Sequence, residues 1–412
     1  MDIDRKKVLI ISRYFLPYFP SIGGVMRVYT LANFLINNGF EVYILTGTGK
    51  NYGYFGYENY LSQINIKYIG THNTHTYSSR SFSRIVAWFS YIFSRLCIPD
   101  ENIFRIKSFV REAENIISAN GIKNVLISTP PHGMQVVGYN LKKKLGNKIK
   151  LIIDYRDSWN TTKIFKHKTY PGFLINKMIE KRILRSCDVF SYVSEPILNK
   201  IEKLYKLDIK KKSILVMNGF NKIEMDTQLQ SVPIIQKIKI GYFGVLKSGR
   251  KSYRDISSLI EVLAENKSLA AKFEFYFFGS ISIKHTRISD INNFHINPPV
   301  SHEEAINEMK KMDYLMIVHS DPESSDEVIT GKFFEYVSVR KPIICLAPPD
   351  MEGGRLIESY GIGCHLNICD KEMVKSGLEQ LVKPSAGNFY KDLDINIFSR
   401  EVQYSKLLGY LT

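Results

Sequence analysis

The sequence predicts an α/β protein of two domains, each with a parallel β-sheet covered by helices on both faces. Its 412 residues are about twice the length of an ordinary domain. Short β-branched runs alternate along the chain with segments of helical period, which is the pattern of repeated β-α-β units. The alternation stops in a polar stretch at 221–236 and then restarts. We therefore predict two successive Rossmann-like domains.

The first domain begins with a complete β-α-β unit. VLIIS at 8–12 is a continuous apolar run, as expected of a strand buried on both faces. A loop containing Gly23 and Gly24 follows, then a segment of helical period and a second strand at 41–47. Further strands of this domain are predicted at 124–128, 151–157, 188–194 and 214–220.

The second domain repeats the alternation. Its strands are predicted at 237–244, 273–280, 294–300, 314–320 and 342–347, with helices between them. Ligands of open parallel sheets bind beyond the carboxyl ends of the strands. Two Rossmann-like domains facing across a cleft would therefore line it with their strand-end loops, and the unusual residues of the chain lie in these loops.

The charge of the chain is divided unequally. Residues 1–220 contain 33 Lys and Arg against 15 Asp and Glu, whereas residues 221–412 contain 23 against 25. A basic half favours nucleic acid, an anionic membrane surface or an anionic substrate as partner. Its lysine runs are also explained as solvated helix ends. We find no recognised nucleic-acid-binding module, which argues against nucleic acid.

The predicted location is the cytoplasm. The N-terminal residues enter a strand without the order of a signal peptide, and five cysteines without a CxxC pair argue against a disulfide framework and a zinc site. The apolar part of RSFSRIVAWFSYIFSRLCI at 80–98 is too short to span a membrane. This segment suits a helix at a membrane interface or a buried helix, and the basic first half favours the membrane.

The stretch DEVITGKFFEY at 326–336 predicts an anion site at a helix start. Thr330 is a suitable N-cap, which places Gly331 and Lys332 in the first turn, where free N–H groups favour a phosphate. Glu335 lies one turn deeper on the same face, within reach of ribose hydroxyls, and Glu327 precedes the helix in the loop. The alternative is an ordinary surface pair between Lys332 and Glu335.

A second basic loop follows the first strand of the second domain. In GYFGVLKSGRKS, Gly244 allows close approach of a ligand to the backbone, and Lys247 and Arg250 offer positive charge to phosphate oxygens. A solvated basic turn explains the same residues.

Three polar residues end strands of the first domain. His132 follows the strand at 124–128, and Arg156 and Asp157 end the next strand. As alternatives to a functional role, His132 is a packed or surface histidine, and Arg156 and Asp157 form a structural salt bridge with each other. The single Asp-x-Asp, at 392–394, has no strand-loop context, so we interpret it as a turn and predict no metal site.

These motifs together resemble one known family. Two glutamates with seven residues between them, followed by a helix and RKPIICLA, resemble the donor-site signature of glycosyltransferase family 4, retaining enzymes of the two-domain GT-B fold. PYFPSIGGVMRVYTLANFLINNGFEVYILTG is similar to the opening of that family. DYRDSW, CDVFSYVSEPI, MNGFN and TGKFFEY are similar to a bacterial branch that builds surface polysaccharides, and the matching pieces extend over about residues 8–370.

The resemblance implies roles for these residues. Gly23 and Gly24 would face the nucleotide diphosphate, and His132 would lie near the sugar or the acceptor. The arginine that usually follows the strand-end glycine is here Val245, so Arg250, Lys247 or Lys332 would supply the positive charge. The remaining assignments are Glu335 on the ribose, Glu327 as the catalytic residue on the sugar or its phosphate, and Arg156 and Asp157 on the acceptor.

The function so implied is transfer of a sugar, with retention, from a nucleotide diphosphate donor to a saccharide or lipid-linked saccharide. UDP is favoured over GDP, and no cofactor is expected. Residues 1–220 would bind the acceptor, 221–388 the donor, and 389–412 would form a helix returning to the first domain. The protein would be cytoplasmic and peripheral on the inner membrane face. A nucleotide-sugar 2-epimerase of the same fold and a non-catalytic scaffold remain alternatives.

Overall fold

The computed structural model describes most of the chain as two compact units. It describes residues 6–19, 22–54, 61–70, 98–162, 169–221, 237–247, 252–287, 291–383 and 389–411. Unit 1 comprises Met1–Met217 and Gln403–Thr412, and unit 2 comprises Asn218–Val402. Within unit 2, Phe398 packs edge-on against Phe333 and Tyr360.

Unit 1 contains, within its described residues, a parallel sheet of seven strands in the order β3-β2-β1-β4-β5-β6-β7. The strands are β1 (Lys7–Ile11), β2 (Glu41–Gly47), β3 (Asn65–Ile69), β4 (Asn124–Thr129), β5 (Lys150–Tyr155), β6 (Val189–Tyr192) and β7 (Ser213–Leu215). Successive strands are added on one side of β1 up to β3 and on its other side from β4 onwards. Doubly wound sheets bind ligands at this switch point, between β1 and β4.

The helices of unit 1 cover both faces of this sheet. They are α1 (Ile22–Asn37), α2 (Ile106–Asn120), α3 (Met134–Leu145), α4 (Tyr170–Ser186) and α5 (Glu195–Tyr205). The last helix of the chain, Arg400–Leu408, adds Tyr404 and Leu407 to the core around α1. Side chains of β1 alternate between two cores, since Val8 belongs to the α1 side and Leu9 to the α2 side. Burial on both faces explains why β1 is apolar from Val8 to Ile11.

Unit 2 has a second parallel sheet, of six described strands in the order β12-β10-β8-β13-β14-β15, and a two-stranded ladder of β9 and β11. The strands are β8 (Ile238–Phe243), β9 (Leu246–Lys247), β10 (Phe273–Phe278), β11 (Ile281–Ser282), β12 (Phe294–Asn297), β13 (Tyr314–Val318), β14 (Ile343–Ala347) and β15 (Gly363–Asn367). The helices are α6 (Ser257–Glu265), α7 (Lys267–Ala270), α8 (His302–Lys310), α9 (Gly331–Ser338), α10 (Glu352–Ser359) and α11 (Lys371–Leu381).

The predicted membrane segment at 80–98 lies almost entirely outside the described residues, which resume at residue 98. Among the helices that the structure describes, none combines the length and the apolar character required to cross a bilayer.

Candidate functional site

The strongest concentration of site features in unit 2 is the amino end of α9. This helix begins at Gly331, and Thr330 occupies the N-cap with extended backbone angles, as the sequence predicts. The Thr330 side chain forms no cap hydrogen bond, and its buried Oγ1 has no partner among the described residues. The Thr330 side chain therefore leaves the N–H groups of Gly331 and Lys332 uncapped at the helix start, where the helix dipole favours a ligand anion.

Lys332 extends from the first turn of α9 to the carboxyl end of β8. Its Nζ lies 5.2 Å from the centre of the Tyr242 ring and 2.8 Å from the position that a Cβ on Gly244 would take. Burial and, to a smaller extent, the positive charge of Arg254 lower the pKa of Lys332 to about 8, while Glu335 opposes the shift. A half-buried ammonium group of this kind is suited to an incoming anion.

Two glycines shape the backbone beside this ammonium group. Gly244 ends β8 with φ +139°, and Gly279 ends the neighbouring β10 with φ +137°. A Cβ on Gly279 would lie only 2.1 Å from the Gly244 carbonyl oxygen, and the Gly244 N–H donates to Phe278 at 2.8 Å. The two strand ends therefore approach closely because Gly279 has no side chain, and the missing side chain of Gly244 leaves the space that the Lys332 ammonium group occupies.

Arg254 is the residue of this site that sequence reasoning missed. Its charge acts on Lys332, Tyr242 and His319, which places it among the strand-end loops. The predicted Arg250 lies outside the described residues, and Lys247 is an exposed residue of β9. The only signal for Arg254 was its place in the same basic stretch, SGRKSYRD, four residues after Arg250.

The loop that carries Arg254 is tied to the loop after β13. The Ser320 N–H donates to the Tyr253 carbonyl at 3.0 Å, and the Ser320 hydroxyl accepts from the Asp255 N–H at 3.0 Å. His319 is buried beside them, and burial lowers its pKa, so its ring is neutral at neutral pH. These bonds place Arg254 by contacts between segments far apart in the sequence.

Glu327 and Glu335 differ in their environments. Glu327 is buried, with 6% of its surface exposed, in the loop before α9. That loop is supported on both sides of Glu327, since Val328 accepts from the Gly353 N–H at 3.0 Å and Ser325 donates to Asp350 at 2.5 Å. Glu335 is half-buried, one turn into α9. Both carboxylates are therefore held on supported backbone close to the helix start.

In unit 1, a buried ion pair lies at the centre of the sheet. Arg27 of α1 and Asp154 of β5 form two hydrogen bonds, at 2.7 and 2.9 Å, and both are almost fully buried. Ser191 donates to Asp154 at 2.8 Å, and Arg27 also donates to the Met217 carbonyl at 3.2 Å. Burial raises the pKa of Asp154, but the charge of Arg27 and these hydrogen bonds outweigh it and lower the pKa.

Arg156 bonds to backbone carbonyls of two other segments of unit 1, the end of β4 and the start of α1. It donates to Thr129 at 3.0 Å, to Pro130 at 2.7 Å and to Gly24. Gly24 lies in the first turn of α1, which begins at Ile22 and so includes both predicted loop glycines. A Cβ on Gly24 would overlap the Phe19 ring, which lies 2.1 Å away. The hydrogen bonds of Arg156 therefore hold these segments together. Its neighbour Asp157 is exposed.

His132 is a packed residue with a defined orientation. It is 4% exposed and stacks on Trp159, with ring centres 5.3 Å apart and planes 2° from parallel. Its Nδ1 lies 2.9 Å from Nε2 of Gln135. Stacking fixes the plane of the ring and the hydrogen bond fixes its rotation, so the position of Nε2 is also fixed.

The described residues contain no group of three or more His, Cys, Asp or Glu arranged to hold a metal ion. Among the described residues of this site, Lys332, Arg254 and the start of α9 offer positive charge to an anionic ligand.

Scans against protein-family models and against curated proteins found no match. Solved structures match over nearly the whole length. A glycosyltransferase from Rickettsia africae has 16% identity and a TM-score of 0.62, over 99% of this chain and 98% of its own. Anabaena HepE in complex with UDP and glucose has 12% identity and a TM-score of 0.60, over 98% of each chain. A candidate UDP-N-acetylglucosamine 2-epimerase from Listeria monocytogenes has 12% identity and a TM-score of 0.56, over 98% of this chain and 95% of its own.

At sequence identities of 12% to 16%, the similarity to these structures establishes the fold alone. Two successive Rossmann-like units with parallel sheets were predicted from the sequence, and this prediction is confirmed. The chain has the GT-B fold of the glycosyltransferase structures to which it is similar.

Proposed function

We propose that this protein is a retaining glycosyltransferase that moves a sugar from a UDP-sugar to an acceptor hydroxyl. The observation that carries the proposal is Lys332, a half-buried cation on the first turn of α9 that reaches the glycine pair at the ends of β8 and β10. A binding site for a diphosphate is formed by the backbone at the two glycines, the start of α9 and the two cations Lys332 and Arg254. HepE, which has the same fold, holds UDP and glucose in its crystal structure.

In this mechanism the protein stabilises charge and positions the reactants. As the bond between sugar and diphosphate breaks, negative charge grows on the leaving phosphate, and Lys332 with Arg254 and the α9 N–H groups stabilises it. Lys247, Arg250 and Gly244 contribute to the same donor site, and Glu335 accepts hydrogen bonds from the ribose. Glu327 contacts the sugar. The leaving phosphate takes the acceptor proton, so no strong base is needed.

Unit 1 supplies the acceptor side in this proposal. Gly23 and Gly24 face the diphosphate, and His132 contacts the sugar or the acceptor with its fixed ring. Asp157 contacts the acceptor with its exposed carboxylate, while Arg156 holds the loop that presents it. The domain roles proposed from the sequence are an acceptor domain at 1–220, a donor domain at 221–388 and a final segment at 389–412 associated with the first domain.

The finer assignment is to glycosyltransferase family 4 and to its bacterial surface-polysaccharide branch. It rests on the order of the motifs from PYFPSIGG to RKPIICLA. The acceptor is then a saccharide or lipid-linked saccharide, and the site of action is the cytoplasm at the inner membrane face.

The function is tested with a panel of UDP- and GDP-sugars, first without acceptor and then with lipid-linked and free saccharides. We expect one UDP-sugar to raise the melting temperature, since a donor at about 100 times its Kd stabilises the native state by about 2.7 kcal/mol. We expect sugar transfer only when acceptor is present, with the anomeric configuration kept. Conversion of the donor in the absence of acceptor would identify a 2-epimerase, and saturable binding without turnover would identify a scaffold.

Peripheral membrane binding is supported by the outer face of α4. Tyr170, Leu174 and Met178 repeat every four residues and are 73%, 42% and 54% exposed. The cations of α4 are Lys177, Lys181, Arg182 and Arg185, and its single carboxylate, Glu180, is fully buried on the opposite face. An exposed apolar face beside four positive charges complements an anionic bilayer surface, so we propose that surface as its partner.

Met178→Glu is expected to weaken binding to vesicles containing phosphatidylglycerol by about tenfold or more. Burying a methionine side chain is worth about 1.5–3 kcal/mol, and the new carboxylate is repelled by anionic lipid. Sedimentation with vesicles measures the effect. Met373→Glu is the matched control, because Met373 is 53% exposed in unit 2. Equal binding of both variants would show that α4 does not contact the membrane.

A further inference from the structure

A chain of buried side chains connects His132 to a carboxyl group in the core of unit 1. Gln135 Nε2 lies 2.9 Å from His132 Nδ1, and Gln135 Oε1 lies 2.9 Å from the Tyr155 hydroxyl. The same hydroxyl lies 2.9 Å from Oε1 of Glu180. All four residues are at most 4% exposed, and Glu180 is completely buried.

The other oxygen of Glu180 is also occupied. Tyr205 donates to Oε2 from its hydroxyl and Asn160 donates from its side-chain amide, each at 2.5 Å. Tyr155 and Tyr205 are the titratable groups that face this carboxyl. Burial raises the pKa of both phenols, so each carries its proton at neutral pH.

The number of available hydrogens limits how these four side chains can be hydrogen-bonded to one another. The Tyr155 hydroxyl has a single proton, yet it lies between Gln135 Oε1 and Glu180 Oε1, two oxygens that accept. Both contacts are hydrogen bonds if Glu180 carries a proton. Glu180 then donates to Tyr155, Tyr155 donates to Gln135, and the Gln135 amide donates to Nδ1 of His132. Nδ1 is thereby an acceptor, and the imidazole proton lies on Nε2.

An ionised Glu180 requires the opposite arrangement. Tyr155 must then donate to the carboxylate, the Gln135 amide must turn to donate to Tyr155, and Gln135 Oε1 must accept a proton from Nδ1 of His132. The tautomer of His132 is therefore linked to the proton on Glu180, through two side chains. Burial, the largest influence on this carboxyl, raises the pKa of Glu180 despite its three hydrogen-bonding neighbours.

We propose that Glu180 is protonated in the folded protein and, through Tyr155 and Gln135, holds His132 in the tautomer with its proton on Nε2. Glu180 is thus a positioning residue for His132. The consequence for catalysis rests on the proposed function, since an Nε2–H group donates a hydrogen bond to a sugar or acceptor oxygen, whereas the other neutral tautomer accepts one.

The protonation of Glu180 is tested by infrared difference spectroscopy of the full chain at neutral pH. We expect wild type minus Glu180→Gln to show the carbonyl band of a protonated carboxylic acid, since the exposed carboxyl groups are ionised at that pH. A difference spectrum that shows a carboxylate band in its place would overturn the proposal.

The link to His132 is tested by the nitrogen-15 chemical shifts of its two ring nitrogens, assigned with His132→Gln. We expect the Nε2–H tautomer in the wild type and a loss of this single tautomer in Tyr155→Phe, which removes the hydroxyl between Gln135 and Glu180. Tyr205→Phe is the control, because it removes a donor to Glu180 without interrupting the chain. The Nδ1–H tautomer in the wild type, or an unchanged tautomer in Tyr155→Phe, would refute the link.

Both measurements use the protein without sugar or acceptor. Failure of the proposed glycosyltransferase function would leave their outcome unchanged, and the tyrosine variants keep the test available if Glu180→Gln does not fold.

Discussion

Lys332→Met is expected to lower kcat for sugar transfer by about 100- to 1,000-fold, the effect of removing one charge-stabilising donor from a transition state. The substitution keeps most of the side-chain volume and removes the ammonium group that lies beside Gly244. UDP binding should weaken as well, because the diphosphate loses a half-buried cation. Steady-state kinetics and calorimetric titration with UDP measure the two effects.

Lys272→Met is the matched control, since Lys272 is an exposed lysine of the same unit. Its kinetics and UDP affinity should equal those of the wild type. Gly331→Ala provides a second probe, because a Cβ at Gly331 meets nothing within 4 Å in the protein and would interfere only with a ligand at the helix start. Unchanged UDP affinity in both Lys332→Met and Gly331→Ala would remove the donor site from this place.

The same lysine predicts a pH dependence. Burial lowers the pKa of Lys332 to about 8, so the free protein loses this charge as the pH rises through that value. UDP affinity should therefore fall above about pH 8, and the fall should be absent in Lys332→Met. The effect on stability has the opposite sign. Between the folded pKa and the ordinary lysine pKa of about 10.4, the unfolded chain binds more protons, so stability rises with pH.

The largest effect on stability is expected at the ion pair between Arg27 and Asp154. Arg27→Met leaves the carboxylate of Asp154 buried without its cation, and removing one partner of such a pair costs about 3–5 kcal/mol. The fluorescence of Trp159, which is buried in unit 1, reports unfolding of that unit. A shift of the denaturant midpoint gives the change in stability.

Two comparisons define this effect. The double variant Arg27→Met with Asp154→Asn should recover part of the loss, since it removes the uncompensated charge. Glu308→Ala, which breaks the exposed pair with Lys311 in unit 2, should change stability by less than about 1 kcal/mol. A loss at Arg27→Met as small as that of Glu308→Ala would mean that the buried pair contributes little.

The pair also predicts acid sensitivity. The pKa of Asp154 is lowered in the folded protein, so its contribution is present above the unfolded carboxyl pKa of about 4 and is lost as the pH falls below it. Asp154→Asn should remove this part of the pH dependence of stability.

Much of the proposed donor site in unit 2 could be predicted from local sequence. An apolar run predicts the strand before Gly244. Capping chemistry predicts the N-cap position of Thr330 and the start of α9 at Gly331. Both signals act between residues a few positions apart. Lys332 was identified for the same reason. Its neighbour Arg254 was missed, since its position depends on hydrogen bonds between the loops at 252–255 and 319–321.

For the proposed acceptor site, local sequence identified residues but not their surroundings. Arg156 was expected to contact a ligand, but its guanidinium group bonds to the carbonyls of Gly24, Thr129 and Pro130, which two segments far apart in the sequence provide. Glu180 had the spacing of an ordinary helical carboxylate, and only the packing of α4 against the sheet buries it beside Tyr155 and Tyr205.

The sequence by itself determined the two α/β units, the parallel strands and the helix start that is proposed to bind phosphate. These features depend on hydrophobic period and on hydrogen bonds between neighbours along the chain. Tertiary structure decided which charges are paired, buried or available. Arg27 and Asp154 are 127 positions apart, and they meet because the sheet order places β4 between β1 and β5 and α1 over that face. The energy of such a pair depends on the water excluded around it, and that exclusion exists only once the sheet and its helices have packed.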